Sequence, residues 1–178
     1  MDFNSFNFVG DYAKASLENC HNIPEKMLIN VERWLKSDDK PPLMFYGNPG
    51  SGKTYLAISI FRELCKTYRW VLYTKSDDLD REFLQAASDP GDDEGRVLLK
   101  YKEVPVLIWD ELGIERPTDR IQRQFYGIID YRMAAKMPTI FTTNCNREMI
   151  KDRLGERIAS RLSICHVFQF PNVDNRLN

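Results

Sequence analysis

The chemistry of this chain is concentrated in Gly47-Asn48-Pro49-Gly50-Ser51-Gly52-Lys53-Thr54, which fits the spacing G-x-x-x-x-G-K-[ST]. Glycines in such a loop let backbone N–H groups converge on a polyphosphate, and a helix starting at its end adds partial positive charge. Lys53 would reach the β- and γ-phosphates and the Thr54 hydroxyl would ligate Mg2+, with Tyr55 the last residue of the cradle. Further along, Asp110-Glu111 closes the apolar run Val106-Leu107-Ile108-Trp109. Asp110 is placed to hold Mg2+, usually through water, and Glu111 to take the proton of an attacking water. An acid directly after the Mg2+ site favours hydrolysis over phosphoryl transfer to a small molecule.

Asn144, at the end of Thr142-Thr143-Asn144, could orient that water, although an asparagine at a strand end also serves turns. Asn144-Cys145-Asn146-Arg147 is not Asn-Lys-x-Asp, the guanine-reading pattern, so adenine is the expected base. Arg157 and Arg161 stand four apart, on one face of a helix. Either they pair with acids such as Glu156 or Asp152, or one reaches the phosphate of a neighbouring subunit.

These groups need a scaffold that gathers strand ends. Apolar runs at 43–46, 70–74, 104–109, 139–143 and 164–170 read as strands. Helical patterns separate them, at 55–68, from Ser76 to 87, at 118–135, and as two short helices within 146–162. Ser76 is the expected cap of its helix, with Leu79, Phe83 and Leu84 on the apolar side. Residues 88–95 read as an acidic, solvated loop and those up to Lys102 as irregular. Upstream, Met27, Leu28, Val31, Trp34 and Leu35 recur at helical spacing after Asn22-Ile23-Pro24-Glu25, and a shorter helical pattern spans 11–17. Strands alternating with helices imply an α/β fold, a doubly wound, mostly parallel sheet with its ligand at the carboxyl ends.

Composition bounds the partners. A chain of 178 residues with 43% hydrophobic and 29% charged residues suits one ordinary globular domain. The net charge of −1 excludes a surface that is basic throughout, so any nucleic-acid contact must come from a local cluster. Cys20, Cys65, Cys145 and Cys165 lack metal-ligand spacing and read as thiols in a reducing compartment. No apolar run approaches the ~20 residues that span a membrane, and the expected location is cytoplasmic.

With these blocks in order the chain resembles the AAA+ ATPases, and among them the DnaC/DnaI-type replicative helicase loaders with the related IstB transposition ATPases. The resemblance covers roughly residues 40–176 and rests on GNPGSGKT, VLIWDELG, YRMAAKMPTIFTTN and GERIASRL. It implies a P-loop NTPase core at 41–178 behind an N-terminal helical linker at 1–40. The implied sheet has five parallel strands in the order 5-1-4-3-2, without a full C-terminal helical lid. It makes Asn144 the sensor of the γ-phosphate, Arg161 the trans-acting arginine finger with Arg157 as its accessory, and Arg176 a second sensor. ATP or ADP and Mg2+ are the implied cofactors. The implied activity is that of an ATPase assembling as a spiral or filament on single-stranded DNA to place a replicative helicase. An IstB-like ATPase assembling on duplex DNA and recruiting a transposase is the alternative, and a scaffold that binds ATP without turnover a third. Loaders of this type carry a helicase-binding domain ahead of the ATPase core, whereas about forty residues precede the first strand here. They also insert a helix after the second strand, where Lys75, Arg81, Phe83, Lys100 and Lys102 are candidates for DNA contact. The segment from Arg116 to Arg120, with Thr118, is a second candidate.

Overall fold

The computed structural model describes residues 8, 10–88, 93–114 and 118–174. Five strands form one sheet: β1 (Leu43–Tyr46), β2 (Val71–Lys75), β3 (Val106–Asp110), β4 (Thr139–Thr143) and β5 (His166–Gln169). Their order is β2-β3-β4-β1-β5, and every pairing is parallel. Parallel strands need crossovers, and helices after β1 supply them: α1 (Glu25–Lys36) precedes the sheet, while α2 (Lys53–Cys65), α3 (Ser76–Ser88), α4 (Glu94–Glu103), α5 (Asp119–Ala134), α6 (Arg147–Leu154) and α7 (Glu156–Leu162) connect its strands. The order is the one the resemblance implied, and each strand falls on its expected apolar run, with ends shifted by up to two residues in β2, β3 and β5.

Side chains alternate across the sheet, so each face has its own core. On one face Leu43, Phe45, Val71, Tyr73, Val106, Ile108 and Ile140 pack against α1 and α2. On the other, Met44, Leu72, Leu107, Trp109 and Phe141 pack against α3 to α7. Both β3 and β4 are buried along their whole length, as their unbroken apolar runs require. The outer strand β5 is largely exposed, with Val167 in it and Ile164 just ahead of it among the open apolar residues.

On the first face α1 is aimed by Trp34, whose indole N–H donates to the Pro41 carbonyl at 2.8 Å and fixes the turn into β1. Ahead of it, 3-10 turns at Gly10–Lys14 and Leu17–Asn19 replace the short helix expected there. Phe8 closes edge-to-face on Phe61 and Tyr73, with ring centroids 5.6 and 5.1 Å away.

Three expectations on the opposite face are corrected. Residues 94–103 form α4 rather than irregular chain, because Asp93 accepts the Gly95 N–H at 2.7 Å and caps the helix. Residues 89–92 of the expected loop lie outside the described residues. Leu84 points outward, about half exposed, since the buried stripe of α3 runs through Leu79, Phe83 and Ala86. Ser76 is the first residue of α3 rather than its cap, and its hydroxyl receives the Trp109 indole N–H at 3.0 Å, tying the start of α3 to β3.

Arg132 of α5 is wholly buried, and among the described residues it forms no ion pair with a carboxylate. It donates to the carbonyls of Tyr101, Lys102, Val104 and Pro138 and to the Thr139 hydroxyl, at 2.8 to 3.1 Å. Burial pulls its pKa down, and the carbonyls of the α4 C-terminus hold the charge instead. This one side chain joins the α3–α4 insertion to the first residues of β4.

Candidate functional site

The carboxyl ends of β1, β2, β3 and β4 bring Gly47, Lys75, Asp110 and Thr143 to one edge of the sheet. The loop leaving β1 turns through Gly52 at φ +98°, a left-handed conformation that favours glycine, and opens directly into α2. Gly47 is required by closeness, because a Cβ there would meet the Phe170 Cβ at 2.9 Å. Beyond Phe170 the chain passes the loop mouth, where the Asn48 amide donates to the Asn172 carbonyl oxygen of the side chain. Residues of 47–54 thus lie in the loop and helix start that the motif demands.

Lys53 is 6% exposed and lies across the loop. Its ammonium donates to the Gly47 and Asn48 carbonyls at 2.8 and 2.7 Å and to the Ser51 hydroxyl at 3.3 Å. A phosphate oxygen is a charged acceptor and the stronger competitor for the weakest of these three bonds. The first N–H groups of α2, from Lys53 to Tyr55, have no carbonyl partner within the helix, which suits an anion. The Tyr55 side chain faces the N-terminal segment, its hydroxyl 3.5 Å from the Lys14 carbonyl, so only its backbone adjoins the loop.

Asp110 is fully buried at the end of β3. Thr54 donates to its Oδ1 at 3.1 Å, Thr142 donates to the same oxygen, and Tyr73 donates to Oδ2 at 2.6 Å. Burial and the Asp110 charge push the Tyr73 phenol far above its ordinary value, so it remains a donor. A carboxylate and a hydroxyl at this spacing are hard oxygen donors that fit Mg2+, with phosphate and water completing the shell. Among the described residues there is no group of three or more His, Cys, Asp or Glu that could hold a metal by itself.

Glu111 adopts φ +62°, costly for a residue with a Cβ and a conformation that concentrates at functional sites. The turn is held from β4: the Glu111 N–H donates to Thr142 Oγ1 at 3.0 Å and Leu112 N–H to the Thr142 carbonyl at 2.8 Å. Thr143 Oγ1 donates to the Leu112 carbonyl at 2.7 Å. Arg153 of α6 clamps the far side, donating to the Gly113 and Ile114 carbonyls at 2.9 and 2.7 Å. The Glu111 carboxylate leaves the buried network and meets Lys75 at 3.3 Å, each side chain 42% exposed. Burial pulls the Lys75 ammonium down, but Glu111 and Asp110 outweigh it and its pKa stands above the lysine value. Asn144 follows on the same edge, half-buried, with no side-chain hydrogen bond among the described residues.

Several expected residues are placed differently. Phe83 is wholly buried and cannot offer a face for base stacking, because the α3 stripe needs it in the core. Lys75 is engaged by Glu111 rather than turned to a DNA surface. Thr118 caps α5, accepting the Ile121 N–H at 3.4 Å, and Arg120 pairs with Glu94. Arg81 pairs with Asp78 at 3.5 Å, Lys100 with Glu82 at 2.7 Å, and Lys102 lies 5.6 Å over the Tyr131 ring. Arg116 and Arg176 lie outside the described residues. Arg157 is exposed, and Arg161 pairs with neither Glu156 nor Asp152. Its Nε lies 2.5 Å from Asp130 Oδ1 of α5, an approach not aligned as a hydrogen bond, and its side chain is 49% exposed. Glu156 instead pairs with Lys151 at 2.8 Å.

Tyr73, Thr142 and Arg153 were missed. A hydroxyl in a strand buried on both faces needs a partner, and that signal was present at Tyr73 and Thr142. Nothing in the local sequence distinguishes Arg153 from a solvated helix charge.

Comparison with known proteins agrees with this geometry. The family model described as IstB-like ATP binding protein matches residues 11–164. The replicative helicase loader DnaC of Escherichia coli is 31% identical over 121 residues, covering 68% of this chain and 49% of that protein. The chain spans about half the length of the curated relatives it matches. The crystal structure of the DnaC helicase loader superposes with TM-score 0.80 at 24% identity, covering 92% of this chain and 100% of that one. A replication initiator DnaA bound to AMPPCP and single-stranded DNA superposes with TM-score 0.77 at 22% identity, covering 88% and 50%. The five-stranded parallel sheet in this order is thus that of an AAA+ fold, and the chain belongs to the family of IstB-like ATP-binding proteins, with DnaC-type helicase loaders among its relatives.

Proposed function

We propose that this chain is an ATP-binding and ATP-hydrolysing assembly factor that oligomerises on single-stranded DNA and helps place a replicative helicase. The observation carrying the ATPase part is the pair formed by Thr54 and Asp110, 3.1 Å apart at the foot of the phosphate loop, with Glu111 next in the chain. The relatives named as helicase loaders, and the neighbour bound to AMPPCP and single-stranded DNA, support the direction of the rest.

The roles follow from position. Lys53 and the first N–H groups of α2 hold the β- and γ-phosphates. Thr54 and Asp110 would hold Mg2+, which when bound would supply positive charge toward the phosphate oxygens. Glu111 takes the proton of the attacking water, and must first leave Lys75, because a base held by an ammonium is a weaker one. Asn144 orients that water. Arg161 leaves Asp130 and serves the phosphate of the next subunit, with Arg157 beside it. Arg81 and Arg120 are the DNA contacts we retain, since their ion pairs are exposed enough to be exchanged for phosphates.

Sedimentation velocity with Mg2+, a non-hydrolysable ATP analogue and DNA tests the proposal. Assembly that needs both nucleotide and single strand, and that Arg161→Ala abolishes, is the expected result. The IstB-like family match favours one second reading, assembly on duplex DNA, and a preference for duplex over single strand would establish it instead. A chain that stays monomeric under every condition contradicts both.

A further inference from the structure

Asp110 has two carboxylate oxygens, and only one of them can serve a cation beside Thr54. Thr54 and Thr142 both donate to Oδ1, which marks that oxygen as the one facing the phosphate loop. Oδ2 points the other way, into the core under α2, where Tyr73 donates to it at 2.6 Å. Asp110 is wholly buried and Tyr73 is 3% exposed, so water does not substitute freely for either group. Tyr73 and Asp110 reach each other because Lys75 is in register with Asp110, and residues two apart on β2 share a face. The ring itself is fixed edge-to-face against Phe8 and Phe61, with centroids 5.1 and 6.3 Å away, which leaves the hydroxyl one direction to point.

We infer that Tyr73 is a positioning residue for the divalent cation: by occupying Asp110 Oδ2 it holds the carboxylate with Oδ1 turned to Thr54. The inference rests on the ATPase reading, and on chemistry general to metal sites, where the partner of a ligand fixes its orientation. Without the phenol, Oδ2 is a buried acceptor with no donor, and rotation of Asp110 to recover one takes Oδ1 off Thr54. Phe61 and Phe8 would still pack on the phenylalanine ring, so the loss is confined to the hydroxyl.

The test is Tyr73→Phe in the full chain, with Tyr101→Phe as the matched control. Tyr101 is also 3% exposed and also donates to a carboxylate, Glu82, at 2.6 Å, but on the opposite face of the sheet. Two quantities are read by calorimetry: the Mg2+ concentration giving half-maximal binding of a non-hydrolysable ATP analogue, and the affinity for ADP without Mg2+. Tyr73→Phe should raise the Mg2+ requirement roughly ten-fold and leave Mg2+-free ADP binding unchanged. Tyr101→Phe should alter neither, though both variants lose a buried hydrogen bond and melt at lower temperature. An unchanged or lower Mg2+ requirement in Tyr73→Phe overturns the inference, as does an equal shift in both variants. Wild-type protein that binds the analogue independently of Mg2+ overturns the cation site itself, and with it the ATPase reading.

Discussion

Two charged regions of the molecule are built differently. Around Asp110, three hydroxyls from α2, β2 and β4 converge on one buried carboxylate, and every donor is supplied by the chain itself. Around α3, α5 and α7 the charges stand on the surface in one-to-one pairs, Arg81 with Asp78, Arg120 with Glu94 and Arg161 with Asp130. A buried network resists rearrangement because each broken bond leaves an unpaired polar group in the interior. Exposed pairs contribute little and exchange readily. The first region is complete within one copy of the chain, while the second has side chains free to choose other partners, a phosphate or a neighbouring subunit.

That contrast breaks most visibly at Arg161. Arg161→Ala should slow hydrolysis in the assembled state roughly 10³-fold, the effect of an arginine finger supplied in trans. Nucleotide affinity of the unassembled chain should not change, and phosphate release measured against protein concentration separates the two. A uniform loss at all concentrations would place Arg161 in the site of its own subunit. Glu111→Gln is the counterpart inside one copy: hydrolysis should fall about 10²–10³-fold at every concentration while ATP still binds. Single-turnover measurements check it, and equal rates for variant and wild type would remove Glu111 as the base.

The next largest effect concerns folding. Arg132→Met removes a buried cation and strands the carbonyls of Tyr101, Lys102, Val104 and Pro138. Loss of about 3 kcal/mol is expected, the scale for breaking a buried charged network. Urea denaturation measures it. A loss below about 1 kcal/mol would mean that water replaces the guanidinium, and that the α4–β4 junction is less closed than its burial suggests.

The same contrast explains what was legible beforehand. Strand positions, the phosphate loop and Asp110-Glu111 could be read because local pattern dictates them: apolar runs for buried parallel strands, glycines where a loop turns back, an acid where a strand ends; the strand order came only with the family resemblance. The hydroxyls on Asp110 could not be read as a set, since Thr54, Tyr73 and Thr142 lie far apart in sequence and meet only through register. Helix α4 was hidden because its N-terminus sits in an acidic, glycine-containing stretch that looks like loop until Asp93 is seen as a cap. Phe83 misled for the opposite reason: one aromatic among charged residues looks available, and three-dimensional packing decides that it is not.

Lys75 lies where the two regions meet, and it sharpens the boundary between them. Lys75→Met should raise hydrolysis by the unassembled chain about 3–5-fold, because an ion pair this exposed restrains Glu111 by less than about 1 kcal/mol. Steady-state phosphate release without DNA is the measurement. A fall in rate would instead give Lys75 a direct role at the phosphate.

The smallest effect is expected at Arg81, 67% exposed in its pair with Asp78. Arg81→Ala should change stability by no more than about 0.5 kcal/mol, since an exposed i,i+3 pair contributes little. Its consequence belongs to DNA: one phosphate contact fewer should lower the slope of log affinity against log salt by about 0.7 for single strands. Titrations of a fluorescent oligonucleotide at several salt concentrations read that slope. An unchanged slope with unchanged affinity would keep Arg81 as a solvated helix charge and move the DNA contact toward Arg120, where the same titration on Arg120→Ala must then show the drop.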